Sequence, residues 1–483
     1  MRVRAFMAIL GLAATLLLNG CAGGTANQTS STSPTANATV NFVVTDTPPS
    51  NVTVLAFQIQ ITGAVLQPGN VSLLPRPVTV DLAQLISDAG FLASTVIDSG
   101  TYTSLTVTYA NPQVTILNTS LAPIVVAGQT CAVGAVCTFS PALNQASVTI
   151  SNGVFPVTVQ ANSTTGLNMD LSIPDLLQSD LSINFANGSS VNVSLLPQPS
   201  TSTSQQAEID DVFGTVTSIS GSQIGMTTAL GDSLVLTSSS STKYSYPASV
   251  CSTAGASCLA TGQLVTANLS LLGNGALALN SISYVGSSGT PLVKGLVLSA
   301  DAAAATPSVQ LLVQRTENVS TLLPGEIATV YLPAGTAYAV GSASYPAVSG
   351  GSFLSSSDLM AGQELVASVG SNLVSGSTPS FNAGTVYLES SQLIGRVTGL
   401  NTGSSSVEIN SLSGLFLWKP PLIQQMEVQT DATTAFVGFS SPSINGLAVG
   451  QFVTAKGPLF NTTGSGGVPT ISAIQLRERA SGN

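Results

Sequence analysis

Gly262-Gln263-Leu264-Val265-Thr266-Ala267 returns as Gly362-Gln363-Glu364-Leu365-Val366-Ala367 and again as Gly450-Gln451-Phe452-Val453-Thr454-Ala455. In each copy a turn glycine leads into an alternating run, the pattern of a chain that bends and enters a half-buried strand. Two further markers travel with it in fixed order. Gly214-Thr215-Val216, Gly295-Leu296-Val297 and Gly395-Arg396-Val397 open each unit, and Thr242-Lys243-Tyr244, Thr336-Ala337-Tyr338 and Thr434-Ala435-Phe436 follow. Three markers recurring three times predict three copies of one fold, over residues 211–286, 291–392 and 393–479. Each copy closes on another strand, near 276–284, 385–390 and 470–476. A glycine in the first curved strand, a turn glycine before a later one and burial of one face are what a small closed barrel needs.

Working back from the repeats, residues 197–210 (PQPSTSTSQQAEID) read as a linker rich in Ser, Thr, Gln and Pro. Residues 39–196 alternate in many short runs. TVNFVVTD, VTVLAFQIQITGAVL and TYTSLTVTY predict strands, and others are predicted at 113–117, 122–126, 146–150, 155–160, 166–173 and 190–196. Residues 81–97 space their apolar side chains more like a short helix or helical turn. The reading is an all-β chain: an N-terminal antiparallel β-sandwich followed by three tandem small β-barrels.

The extreme N-terminus carries Arg2 and Arg4, an apolar run from Phe6 to Leu18, and then Leu18-Asn19-Gly20-Cys21. The run is short for a bilayer span and suits a secretion signal. Its end resembles the lipobox of bacterial lipoproteins, with Asn19 a less usual residue in that box. The resemblance implies a signal peptide over 1–20, a diacylglycerol on the Cys21 thiol and a mature chain starting there; an ordinary signal peptide with a chance cysteine is the alternative. Residues 21–38 then read as a flexible tether. Ala22 in place of aspartate implies, by resemblance to Gram-negative lipoproteins, passage to the outer membrane.

VNFVVTDTPP at 40–49, VTVDLAQLI at 78–86 and DSGTYTSLTVTYANPQV at 98–114 resemble the domain-of-unknown-function family 4382 of bacterial surface lipoproteins, with Asp46, Pro48, Gly100 and Tyr102 at its marked positions. The repeats resemble domain-of-unknown-function family 5666, a small β-barrel module often found in tandem in exported proteins. The first copy fits best and the second, with insertions, least. These resemblances imply architecture more than activity.

Composition narrows the function. Charged residues are only 7% of 483, so surfaces must be built from Ser, Thr, Asn and Gln, as suits an exported β protein. A net charge of −10 leaves no basic patch for nucleic acid. With no histidine, Ser-His and Cys-His nucleophile pairs are absent. Beyond the leader, no apolar stretch approaches the length of a spanning helix. Apart from Cys21, the cysteines fall as Cys131 with Cys137 and Cys251 with Cys258. In an exported chain these read as two local disulfides, the alternative being a metal site shared across domains.

Candidate sites are few. Ser240 and Lys243 have S-x-x-K spacing, but the S-D-N and K-T-G partners are missing and strands surround them. Asp170, Asp175 and Asp180, with Asp210 and Asp211, are calcium candidates that more often cap turns, as Asp46 is expected to do before Pro48. No catalytic residue, metal or cofactor is assigned. Trp418, Tyr244 and Tyr246 are the aromatic residues offered as glycan contacts, against the simpler reading that they fill barrel cores. Tyr338 and Phe436 occupy the position equivalent to Tyr244, which favours core for all three. The expected function is a lipid-anchored envelope protein acting as a non-enzymatic binding or structural module, with a glycan or an envelope protein as partner. The alternative is a carbohydrate-active enzyme using a carboxylate pair, which needs no histidine.

Overall fold

Alternation in Asn37–Thr47 buries Ala38, Val40, Phe42 and Val44 on one face. In the computed structural model, which describes residues 37–47, 53–85, 90–126, 128–178, 180–185, 191–196, 205–228, 233–342, 345–376, 379–462 and 467–479, this strand is central in a four-stranded sheet. The order of that sheet is Val191–Leu195, Thr164–Ser172, Asn37–Thr47, Gly90–Asp98. A second sheet is built on Thr53–Gln67 paired with Ser104–Leu117. Phe57, Ile59, Ile61, Leu105, Val107 and Tyr109 from the second sheet join Val40, Phe42, Leu167 and Met169 from the first in one apolar core. Cys21, the leader and residues 21–36 of the expected tether lie outside the described residues. The last two tether positions, Asn37 and Ala38, are already strand.

Three features of this region differ from expectation. Asn37–Thr47 runs parallel to Thr164–Ser172, so the region is not purely antiparallel. No hairpin joins these strands, and the long crossover between them permits the parallel pairing. The described residues of 81–97 make a 3-10 turn, Leu82–Gln84, capped by Asp81, and the first eight residues of the strand Gly90–Asp98. Pairing of Gly90–Asp98 with Asn37–Thr47 outweighs the helical spacing. The predicted strands on either side of residue 111 are one strand, Ser104–Leu117, bent at Asn111 with φ +48°. The Gly-x-Tyr marker has a structural job: Tyr102 is buried and its hydroxyl donates to the Asp98 carbonyl at 2.8 Å.

The repeats form three closed barrels of one topology. In the first, the strands are Gln205–Ser220, Gln223–Thr228, Ser233–Thr237, Gln263–Leu272 and Leu277–Ser287. Strand 1 pairs with strands 2 and 4, strand 3 closes on strand 5 in parallel, and strand 5 pairs with strand 4. Leu292–Asp301, Ser308–Glu317, Ile327–Tyr331, Glu364–Val374 and Ser380–Leu388 repeat that circuit. Ser390–Asn401, Ser406–Asn410, Met426–Gln429, Phe452–Phe460 and Thr470–Ser472 repeat it again, the last strand resuming as Gln475–Arg479. The order 1-2-3-5-4 is that of a Greek-key barrel of the OB type. The expected linker is shorter than residues 197–210, because strand 1 of the first barrel starts at Gln205.

Each marker closes the circuit. Gly262, Gly362 and Gly450 have φ of +82°, +87° and +97°, and donate their N–H to the carbonyls of Val216, Val297 and Val397, two residues past the strand-1 glycine. The glutamine that follows turns back on the chain. Gln263, Gln363 and Gln451 accept, through Oε1, the N–H of Ala260, Met360 and Ala448 at 3.0, 2.8 and 2.6 Å. Each repeated threonine re-enters the sheet after an excursion. From Thr237 to Lys243 the chain advances six residues while its partner strand advances three, from Ala278 to Ser281. The other barrels do the same between Tyr331 and Ala337 and between Gln429 and Ala435. The threonine hydroxyl fills the gap, donating to the carbonyls of Leu279, Ala383 and Ala473 at 2.7, 3.1 and 2.8 Å.

Thr434→Val removes that donor and also the acceptor for the Asp431 N–H at 3.0 Å. It is expected to cost about 1–3 kcal/mol in urea denaturation, the penalty of buried polar groups left unpaired. Thr433→Val, whose exposed hydroxyl reaches only Asp431, should cost well under 1 kcal/mol. Equal losses at the two positions would disprove the gap-filling role.

Candidate binding site

A cleft of about 330 Å³ opens where the N-terminal region meets the second barrel. Gln113 comes from the long strand Ser104–Leu117, Gln129 from the ribbon Gln129–Cys131, and Thr138 from the strand Val136–Phe139, with Ser140 just beyond it. Gly325 and Glu326 arrive from the second barrel. The Cys131–Cys137 disulfide ties ribbon to strand, and Cys131 is fully buried. Thr138 Oγ1 donates to the Gly325 carbonyl at 2.9 Å and shares a hydrogen bond with Thr115 at 3.0 Å, so the two walls are joined. Glu326 accepts the Leu323 N–H at 2.9 Å and supplies the carboxyl group of this lining. Amides, hydroxyls and one carboxylate converge on the space, a lining suited to a ligand rich in hydroxyl groups.

The aromatic candidates lie elsewhere, in two places. Trp418 is half-buried at the meeting of three units, packed among Leu55, Leu117, Leu298, Leu312 and Leu415. Its Nε1 donates to the Gly134 carbonyl at 2.6 Å, and Lys419 lies over the ring at 4.1 Å. Lys419 in turn donates to Gln310 at 2.8 Å, so the pair bridges the N-terminal region, the second barrel and the third. Tyr244 packs on the first barrel's core. Tyr246 stacks on Tyr284 with centroids 5.8 Å apart and donates to Gln263 Oε1 at 3.1 Å. Burial, and then Tyr244 and Tyr284, push the Tyr246 hydroxyl up. Tyr338 and Phe436 pack on the cores of their barrels.

The remaining candidates serve local structure. Asp175 accepts from Ser172 at 2.8 Å, and Asp180 accepts both the Ser182 hydroxyl and its N–H, which hold its carboxyl below the usual range. Among the described residues no three His, Cys, Asp or Glu side chains are grouped to hold a metal. The side chains of Asp46, Asp210 and Asp211 lie outside the description. Ser240 lies within the excursion of the first barrel and the exposed Lys243 ends it, with no helix between them. Cys251 and Cys258 are disulfide-bonded, and the Cys258 carbonyl accepts from Gln263 Nε2 at 2.9 Å.

One polar junction was not anticipated. Lys294 and Glu364 pair at 3.6 Å, and Gln314 Nε2 donates to Glu364 at 3.1 Å. The Glu364 N–H reaches Ser391, whose neighbour Gln392 donates to the Gln84 carbonyl at 2.9 Å, one turn from Asp81. Asp81 Oδ1 accepts from the Phe57 and Ala83 N–H groups, while its Oδ2 is sealed from solvent without a hydrogen-bond partner among the described residues. Burial pushes the Asp81 carboxyl up to about 6, the two N–H donors opposing; the Glu364 charge adds to the rise and Lys294 offsets it. Lys294 and Glu364 stand immediately before Gly295 and after Gln363, where they interrupt apolar alternation; that was the available signal.

A scan of family models and a search of curated proteins each return no match to this chain. The likeness to families 4382 and 5666 therefore rests on the quoted residues.

Proposed function

We propose that this chain is a bacterial envelope protein, anchored by a diacylglycerol on Cys21, whose β units form a non-enzymatic binding body for a neutral, hydroxyl-rich ligand of the glycan class. The observation that carries the reading is the cleft of Gln113, Gln129, Thr138, Ser140 and Glu326, whose ribbon and strand are tied by a disulfide and whose Thr138 is bonded to the second barrel. The repeated threonines and glutamines support a scaffolding role for the barrels, since their side chains bind backbone within the circuit. Glycoside cleavage calls for two carboxyl groups flanking the bond. Among the described residues the cleft lining contributes Glu326 alone, which supports binding without turnover.

The test is a glycan array probed with folded chain from Ala22 onward, with and without calcium. Saturable binding is expected to weaken about tenfold in Gln129→Ala, the scale of a lost hydrogen bond to a buried ligand, and to change little in Trp418→Ala. The reverse pattern would move the contact to Trp418. An array without binding would overturn the glycan reading and leave protein docking or spacing as the role.

A further inference from the structure

We propose that the face carrying Leu121, Val133, Leu417 and Leu422 rests on a lipid bilayer as a second contact, independent of any lipid on Cys21. Leu121 is fully exposed, and Val133, Leu417 and Leu422 are 52%, 49% and 55% exposed. They stand on loops of two units that the structure joins. The Trp418–Gly134 hydrogen bond joins the loop of Val133 to that of Leu417, and a Cβ on Gly414 would lie 2.7 Å from Thr119, which brings the loop of Leu121 against the same 3-10 turn, Gly414–Leu417. Val125, on the outer side of the adjoining ribbon, is 61% exposed.

The surroundings favour lipid over a protein partner. In a chain of net charge −10, residues 99–169 contain no charged side chain, and Lys419 is the lone charge in 409–426. The loops that an acidic protein brings to this face thus carry no acidic side chain of their own for an anionic lipid surface to repel. Apolar side chains stand singly at loop tips, with a tryptophan and a lysine at their base, the pairing that suits the headgroup layer. A protein interface would instead be expected to gather its aromatic anchor in a desolvated centre open to the partner. Here the Trp418 N–H is already taken by Gly134.

The experiment uses the chain without its apolar leader and with Cys21→Ser, so that failure of the lipid-anchor reading leaves it unaffected. Mixed phosphatidylcholine–phosphatidylglycerol vesicles are sedimented with the protein, and the emission of Trp418, the single tryptophan, is recorded. Co-sedimentation with a blue shift is expected. Leu121→Asp combined with Leu422→Asp should lower the bound fraction about tenfold or more, since each leucine withdrawn from lipid removes several methylenes. Should that double variant fail to fold, Val133→Gln with Leu417→Gln serves in its place. Absence of co-sedimentation, or binding that the leucine variants leave intact, overturns the proposal. Concentration-dependent self-association abolished by the same variants also overturns it and assigns the face to a second copy of this chain.

Discussion

Gly362→Ala is expected to destabilise the protein by about 3 kcal/mol, whereas Gly262→Ala and Gly450→Ala should each cost about 1 kcal/mol. All three glycines hold left-handed backbone at the same point of the repeat, so the conformational cost of about 1–2 kcal/mol is shared. The surroundings are not. A Cβ at Gly262 meets only Ser288 at 3.9 Å, and one at Gly450 meets Arg396 at 3.5 Å. At Gly362 it would overlap the Phe416 ring, which is buried in the core of the third barrel, and overpacking adds a further ~1–3 kcal/mol. Because Phe416 lies two residues before Trp418, the emission of the single tryptophan should shift as well. Chemical denaturation of the three variants decides the matter, and equal losses would show that the seam between barrels does not bear on this turn.

The second large effect is electrostatic and depends on pH. Asp81 titrates near 6 in the folded chain against 3.8 for the free side chain, because its carboxyl is buried. Between those values the native state holds more protons than the unfolded one, so stability falls as pH rises from about 4 to about 6. The full penalty above that window is about 3 kcal/mol. Asp81→Asn keeps an acceptor for the Phe57 and Ala83 N–H groups and removes the charge. It should therefore gain about 2–3 kcal/mol at pH 7.5 and nothing at pH 3.5. Urea denaturation of both proteins from pH 3.5 to 8 measures the difference, in which contributions from carboxylates remote from Asp81 cancel. A constant difference across that range would mean that Asp81 is charged at no cost where it sits.

The barrels were legible because the residues that close each one lie within its own unit, at a spacing that recurs three times. Gln263 acts on Ala260, Thr242 within its own excursion and Gly262 on Val216 at the far side of the same unit, so the repeated spacing exposes the unit. The two disulfides were legible for the same reason, each closing a loop of a few residues. What escaped was assembled from afar. Thr39 faces Thr164 across a long crossover, so no turn between them announces a parallel pair. The cleft brings residues 113–140 to Gly325 and Glu326, and no local pattern marks a polar side chain as facing a cavity rather than water. Trp418 was singled out by its rarity, but its position is set by Gly134, 284 residues earlier.

The barrels also lend one another side chains. Phe460 of the third barrel is part of the second barrel's core, and Met360 of the second is part of the third's. Gln363 Nε2 donates to the Leu459 carbonyl at 2.9 Å, and Gln475 reaches Glu208 of the first barrel at 3.3 Å. A tandem array of this kind is not modular in the genetic sense. Excising one repeat would open a hole in its neighbour and uncover the plug it supplied, so recombination that shuffles single units is penalised while duplication or loss of the whole assembly is not. The second and third copies, which share core side chains, would thereby be inherited or lost together.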